Sequence, residues 1–135
     1  MHVIHDENEA EALGVLIEML EAHLARKDRD AVLRLAEDQI HFIGVGAAEM
    51  ACGKSEFEAL LREQIARDAQ PYRLSYGRLY CDGCGRDCVL ISGEIKTSRE
   101  GGPSVPMRLS ALLRRKCGRY LVCSLHVSAA ADISR

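Results

Sequence analysis

The stretch VPMRLSALLRRKCGRYLVCSLHVS, residues 105–128, decides the fold. Two apolar, β-prone runs flank the short turn Lys116-Cys117-Gly118-Arg119, and such a short connection predicts an antiparallel hairpin. Because side chains alternate along a strand, one side of each run is apolar and the other mixes polar with apolar groups. We interpret the mixed side as the lining of a cavity that the rest of the chain covers.

The mixed side of the hairpin carries the main candidate ligand-binding residues. Arg108 is a fixed cation that suits a carboxylate or an enolate, and His126 titrates near neutral pH. Hydroxyl groups near them can orient a ligand: Ser110, Ser124 and Ser128. The alternative is an internal polar network whose members satisfy one another's hydrogen bonds.

Three residues outside the hairpin extend the candidate site. His41 lies on a short β-prone segment, and its strand is expected to cross near the mouth of the cavity. Glu94 precedes the hairpin and either acts as an acid/base partner of Arg108 and His126 or pairs with Arg108 across the sheet. Tyr76 belongs to a tyrosine stripe, where its phenol either contacts a ligand or packs on the sheet.

A cysteine motif, Cys81-x-x-Cys84-x-x-x-Cys88, lies in a glycine-rich turn. Thiolates at this spacing can hold Zn²⁺ or enter an iron–sulfur site, but tetrahedral zinc would need a fourth ligand from elsewhere. A redox CxxC pair usually begins a helix, which this turn does not. We therefore expect no metal and no other cofactor, with these three cysteines as the weaker alternative.

Composition limits the class of protein. The 135 residues are 47% hydrophobic, which suits one domain over 1–135 with its core at about 7–128. A net charge of -2 gives no general attraction to nucleic acid. No apolar run approaches the roughly 20 residues that span a membrane, and the N-terminus lacks the features of a signal peptide. We expect a cytoplasmic protein whose six cysteines are thiols.

Helical patterns come before the strands. Asp6 begins an amphipathic helix of about five turns, Asp28 or Asp30 caps a short second helix, and Ser55 opens a third with a capping box. Gly14, inside the first helix, is either a cost of about 1 kcal/mol or a point of close packing. Helices followed by a meander of four strands predict an α+β fold with an antiparallel sheet.

Several motifs resemble one known family. They are the helix start Asp-x-x-Ala at 28–31, Gly53-Lys54 before the third helix, and the hairpin pattern R-x-S … H-x-S at 108–128. Together they resemble the SnoaL-like branch of the nuclear transport factor 2-like superfamily, also called the ketosteroid isomerase-like cone fold. The resemblance implies three N-terminal helices packed in a strongly curved, mostly antiparallel sheet, with a pocket inside the cone. It also implies frequent homodimers through the outer face of the sheet.

The resemblance leaves the chemistry open, because members include isomerases, cyclases, dehydratases and domains that only bind ligands. The Asp base and the Tyr/Asp oxyanion pair of steroid isomerases do not map onto this chain. We expect a small-molecule-binding domain that holds an acidic organic molecule in the cone. The alternative is an enzyme of the isomerase, cyclase or dehydratase kind using His126 and Arg108, and the second alternative is a thiol-metal module.

We also expect a homodimer, without nucleic-acid or membrane partners. An apolar sheet face without helices to cover it is costly in water, so a second copy is expected to bury it. The residues expected on that outer face are Leu109, Ala111, Leu113, Leu121, Leu125 and Val127.

Overall fold

The computed structural model describes residues 2–130. Helices come first and long strands follow, in the order β1 (His2–Val3), α1 (Glu7–Leu20), a π-helical segment (Glu21–Ala25), α2 (Arg29–Arg34), β2 (Ala36–Ile43), β3 (Met50–Cys52), α3 (Lys54–Arg67), β4 (Arg73–Gly83), β5 (Cys88–Ser98), β6 (Val105–Lys116) and β7 (Arg119–Ala129). Among the described residues, no helix is both long and apolar enough to cross a membrane.

The strands form one curved sheet in the order β1-β4-β5-β6-β7-β2-β3. Strands β4 to β7 make the antiparallel meander that the sequence predicts, and Cys117 and Gly118 both adopt positive φ in the tight turn between β6 and β7. Two parallel pairs were not expected, β1 with β4 and β2 with β7. The predicted α+β class with a strongly curved, mostly antiparallel sheet is confirmed.

Local signals place the first two helices. The Asp6 carboxylate accepts a hydrogen bond from the Glu9 backbone N–H at 2.9 Å, and Asp28 accepts one from Ala31 at 3.1 Å. Both N-caps agree with the sequence prediction. Helix α1 and the π-helical segment that extends it bury an apolar stripe under the sheet: Ala12, Leu13, Leu16, Met19, Leu20 and Ala22.

The predicted capping box of the third helix is wrong. Helix α3 begins at Lys54, and its N-cap is Gly53, whose φ of 91° turns the chain out of β3. Ser55 therefore already lies within the first helical turn. Instead of a capping serine, the Glu56 carboxylate accepts a hydrogen bond from the backbone N–H of Cys52 at 3.0 Å.

The predicted orientation of the closing hairpin is also wrong. The apolar side of the hairpin forms part of the concave surface of the sheet, which the helices cover. It carries Leu109, Ala111, Leu113, Leu125 and Val127. The apolar stripe of α1 can be buried only against an apolar partner, and this side of the hairpin supplies part of it. These five residues are therefore unavailable for a dimer. Of the six residues expected on the outer face, Leu121 is the one outside the buried core, and its side chain is half-buried.

A β-bulge explains why simple alternation failed within β7. Leu112 pairs with Ser124 and Leu113 pairs with Val122, so Cys123 has no opposite residue. The extra residue reverses the alternation, and Tyr120 joins the buried core while Ser124 points to the opposite side.

A second bulge bends the sheet between β4 and β5, where Tyr76 pairs with Ile95 but Leu79 pairs with Gly93. A Cβ atom at Gly93 would lie 2.0 Å from the carbonyl oxygen of Arg78. The backbones approach so closely here that only glycine fits. By contrast, a Cβ at Gly14 would meet nothing within 4 Å, which excludes close packing as the reason for that glycine.

Two alanine substitutions should therefore change stability in opposite directions. Gly93→Ala forces the β4–β5 bulge apart and should lower the free energy of unfolding by about 2 kcal/mol or more. Gly14→Ala, at an exposed helical position, should raise it by about 1 kcal/mol, because alanine loses less backbone entropy than glycine. Urea unfolding followed by circular dichroism measures both values. Equal effects of the two substitutions would contradict the bulge geometry.

Candidate functional site

A cavity of about 1050 Å³ opens at one end of the cone, between the helices and the concave face of the sheet. Its volume is that of a site for a small organic molecule. The π-helical segment, α3, the loop 44–49 and the adjoining ends of β5, β6 and β7 surround it. Apolar side chains make most of the deeper wall: Leu20, Leu24, Phe42, Leu60, Met107, Leu125 and Val127.

Hydrogen-bonded polar side chains from the π-helical segment, α3 and the loop 44–49 line one side of the cavity. His23 Nε2 lies 3.1 Å from Gln64 Oε1, and the Gln64 side-chain amide donates a hydrogen bond to Glu49 Oε1. The second Glu49 oxygen accepts from the backbone N–H of Gly46, which ties the loop to α3. Since Gln64 uses its N–H group on Glu49, its oxygen accepts the proton of His23 Nε2. The Nδ1 atom of neutral His23 is then the acceptor of the ring.

The environment of His23 favours the neutral imidazole. Burial lowers the pKa of His23 below its usual range, and Gln64 acts in the opposite direction through its hydrogen bond. The ring of His23 also contacts Phe42 edge-on, with 6.2 Å between centroids. At neutral pH a neutral imidazole in the cavity wall can accept a proton.

The rim of the cavity carries two cations around one aromatic ring. Lys27 Nζ lies 4.9 Å from the centroid of Tyr72, and the guanidinium carbon of Arg99 lies 4.8 Å from it. Arg99 also donates to the Tyr72 hydroxyl at 2.7 Å and pairs with Asp68. Cation–π contacts thus hold both charges beside the cavity.

The two cations beside Tyr72 differ in how they are neutralised. Asp68 balances Arg99, whereas among residues 2–130 no carboxylate forms an ion pair with Lys27. Burial, and then repulsion from Arg99, lowers the pKa of Lys27 below its usual range. A negatively charged group placed between Lys27 and Arg99 would relieve this repulsion.

The residues predicted from the sequence to line the cavity lie together, but on the convex face of the sheet. One row across four strands contains Ser92, Ser110, His126 and Ile43. The adjacent rows place Ser124 beside His41, and Arg108 between Glu94 and Ser128. The helices cover the opposite face, so the expected placement of these polar residues inside the cone is wrong.

Tyr76 does face the concave side, but it contacts a helix. Its hydroxyl donates a hydrogen bond to Glu21 Oε1 at 2.7 Å, which fastens β4 to the π-helical segment. Burial, and then the hydrogen bond to Glu21, raises the pKa of Tyr76 above its usual range. Tyr76 therefore stabilises the wall behind the cavity.

The cysteine motif does not assemble as three metal ligands. Cys81 is fully buried on the concave side, where burial and the nearby Glu9 raise the pKa of its thiol to about 11. Cys84 and Cys88 lie in and beside the exposed turn, with 2.8 Å between their sulfur atoms. Within residues 2–130, no group of three His, Cys, Asp or Glu side chains is arranged to hold a metal ion.

Sequence reasoning missed the polar residues of the cavity. One signal was available, because His23 follows Leu16 and Leu20 at helical spacing and so continues the buried stripe of α1. The rim offered no such signal. Lys27, Tyr72 and Arg99 lie far apart in sequence, and only the tertiary structure brings them together.

Comparison with solved structures shows the same fold. A protein of unknown function described as NTF2-like, from Pseudomonas putida KT2440, has a TM-score of 0.81 and 20% identity, covering 93% of this chain and 88% of that one. A putative dehydratase from the NTF2-like family, from Streptomyces avermitilis, has a TM-score of 0.80 and 14% identity, covering 93% and 97%.

A ketosteroid isomerase-like protein from Erwinia carotovora atroseptica SCRI1043 has a TM-score of 0.72 and 18% identity, covering 95% of this chain and 100% of that one. At these identities the likeness concerns the fold alone. No curated protein matches the chain. The family model of the SnoaL-like domain matches residues 15–132, which is most of the sequence. The resemblance inferred from the motifs is therefore confirmed, and the chain belongs to the SnoaL-like domain family.

Proposed function

We propose that this protein binds a small organic molecule with an apolar body and an acidic group in the cavity at the open end of the cone. The observation that carries the proposal is the pair of cations, Lys27 and Arg99, held against Tyr72 at the rim of a cavity whose deeper wall is apolar. The apolar body packs against the deeper wall, and the acidic group lies between the two cations.

The energetics favour such a ligand. Burying apolar ligand surface contributes about 25 cal/mol per Å², and the wall offers several large side chains for it. A carboxylate is a suitable acidic group because it can form an ion pair with Lys27 and accept a charge-assisted hydrogen bond from the Arg99 guanidinium. Gln64 and His23 offer polar contacts deeper in the cavity and can select among ligands that carry a second polar group.

A second candidate function is an enzyme of the isomerase or dehydratase kind, and the neutral His23 specifically favours it. Both reactions move a proton at a carbon next to a carbonyl group, and a neutral imidazole in the wall of a ligand cavity is a suitable base. His23 takes the place of His126 in this hypothesis, because His126 lies on the other face of the sheet. Deuterium incorporation into small ketones in D₂O, lost in His23→Gln, would support it.

We also propose that the protein is a homodimer through the convex face of the sheet. Within residues 2–130 no helix covers this face, and it exposes large apolar side chains beside polar ones, including Tyr80, Leu90 and Ile43. It also carries both signs of charge at Glu94 and Arg108, so that one copy can complement another across a two-fold axis. The interface thus differs from the apolar set expected from the sequence.

The ligand proposal can be tested with two fluorescent probes of similar shape. Anilinonaphthalene sulfonate is anionic and N-phenylnaphthylamine is uncharged. In the double variant Lys27→Gln, Arg99→Gln, the Kd of the anionic probe should rise about tenfold, equivalent to about 1.4 kcal/mol, while that of the uncharged probe stays within about twofold. Fluorescence titration gives both constants.

The matched control is Arg62→Gln, which removes an exposed cation of α3 that does not line this cavity. It should leave both Kd values unchanged. Met107→Trp, which places a larger side chain in the cavity wall, should weaken both probes. If the double variant affects the two probes equally, the rim cations do not select an acidic group.

The dimer is tested by placing a charged side chain at the centre of the convex face. Ser110→Arg should convert a dimer to a monomer, because burying an unpaired guanidinium is costly. Ser55→Arg, the same substitution on the exposed side of α3, should leave the mass in solution unchanged. Light scattering coupled to size-exclusion chromatography measures both. A monomeric wild-type protein would rule out the interface.

The state of His23 is tested by the dependence of stability on pH. Its pKa is lower in the folded protein than the usual value of 6.5, so its stabilising contribution is present above pH 6.5 and is lost as the pH falls through the folded-state pKa. The melting temperature of the wild type should therefore fall more between pH 7.5 and 5 than that of His23→Gln, by about a few °C. Equal losses would show that His23 protonates freely.

A further inference from the structure

The turn between β4 and β5 holds two thiols in contact. Cys84 Sγ and Cys88 Sγ are 2.8 Å apart, and the backbone N–H of Cys84 donates to the Cys88 carbonyl at 3.0 Å. The last pair of the β4–β5 register is Gly83 with Val89, so Cys84 and Cys88 are the next two residues opposite each other. Opposite residues of antiparallel strands have their Cα atoms about 4.5–5.5 Å apart. This separation lies within the range that a disulfide spans.

The turn is built to keep the two thiols together. Gly85 and Asp87 both adopt positive φ, which closes the chain back on itself between the cysteines. The carbonyl of Asp87 accepts a hydrogen bond from the backbone N–H of Arg115 at 2.8 Å, and this bond fastens the turn to β6. Bringing the sulfur atoms to bonding distance therefore requires only a small side-chain movement.

The pair is accessible, unlike the other cysteines of the same region. Cys84 is exposed and Cys88 is half-buried, whereas Cys81 and Cys123 are buried. Cys123 is also engaged, since its thiol donates a hydrogen bond to the Leu112 carbonyl at 3.1 Å. Of these four thiols, a reagent in solution thus reaches Cys84 and Cys88 first.

We propose that Cys84 and Cys88 form a reversible dithiol–disulfide site on the exposed tip of the β4–β5 hairpin, which low-molecular-weight disulfides oxidise. The Cys84 thiol loses its proton and its sulfur attacks one sulfur of the small disulfide, which releases the first small thiolate. The Cys88 sulfur then attacks Cys84 and releases the second. Two electrons pass to the small disulfide, and the two protons of the cysteines are taken up by the released thiolates.

The local chemistry sets the conditions of the reaction. Burial, and then the hydrogen bond with Cys88, raises the pKa of the Cys84 thiol to about 11. The thiolate is the attacking species, so exchange should be slow at neutral pH and should accelerate in mildly alkaline buffer. In a reducing compartment the site is a dithiol, and it closes when the ratio of disulfide to thiol rises. This proposal is independent of the cavity and its ligand.

The sequence offers a direct test, because trypsin cleaves at Arg86, between the two cysteines. After incubation of the full chain with oxidised glutathione in mildly alkaline buffer, a non-reducing tryptic digest should contain peptide 79–86 linked to peptide 87–96. The linked pair should lack two hydrogens, carry no glutathione, and separate when dithiothreitol is added.

Three serine variants complete the test. Cys84→Ser should abolish the link and leave glutathione attached to Cys88, and Cys88→Ser should leave it attached to Cys84. Cys117→Ser, which removes an exposed thiol in a different turn, should leave the link unchanged. A link that persists in Cys84→Ser would assign it to Cys81. That outcome would overturn the proposal, as would separate glutathione adducts on Cys84 and Cys88 in the wild type.

Discussion

The structure depends on the burial of the helix α1 stripe against the concave face of the sheet. Each large apolar side chain in this contact contributes about 1.5–3 kcal/mol, whereas the net stability of a small domain is about 5–15 kcal/mol. Leu16, Met19 and Leu20 belong to the same buried core as Leu113 and Leu125. This contact sets which face of the sheet is exposed to solvent. The placement of each candidate residue inside or outside the cone follows from it.

The cavity lies where this packing ends. Beyond Leu20 the helix continues as a π-helical segment, and His23 and Lys27 lie near the open end of the cone, where polar side chains from α3 meet them. π-Helical turns often occur at functional sites, and here the turn lies in the cavity wall. The hydrogen bond from Tyr76 to Glu21 holds it to β4. The π-helical segment therefore lies at the boundary between the hydrophobic core and the cavity.

The two faces of the sheet differ in composition and in structural role. The concave face supplies the core and the inner wall of the cavity, and the convex face carries rows of serines, His126 and the neighbouring opposite charges Glu94 and Arg108. Buried carboxylates fasten the ends of the strands. Glu37, 3% exposed, binds Arg114 at 3.0 Å, and Glu9 accepts from the backbone N–H of Gly83 at 3.1 Å. Such anchors keep the curved sheet in register.

Much of the fold could be predicted because its signals are local. The hairpin turn at Cys117 and Gly118, the N-caps Asp6 and Asp28, and the periodicity of α1 each concern neighbouring residues, so a linear pattern contains them. The family could be predicted because the order of these local elements is distinctive. The candidate site could not, since its cations come from a helix end and a strand end that are distant in sequence.

The sequence by itself determined the helices, the meander and the two alternating sides of most of its strands. The tertiary structure alone decided which side faces the helices, because two apolar surfaces must meet and alternation does not say which they are. It also decided which side chains of β7 point to each face of the sheet, because the unpaired residue Cys123 reverses the alternation of side chains there. The cavity exists because the bent sheet and the helices diverge at one end. No local sequence pattern predicts the separation between these elements.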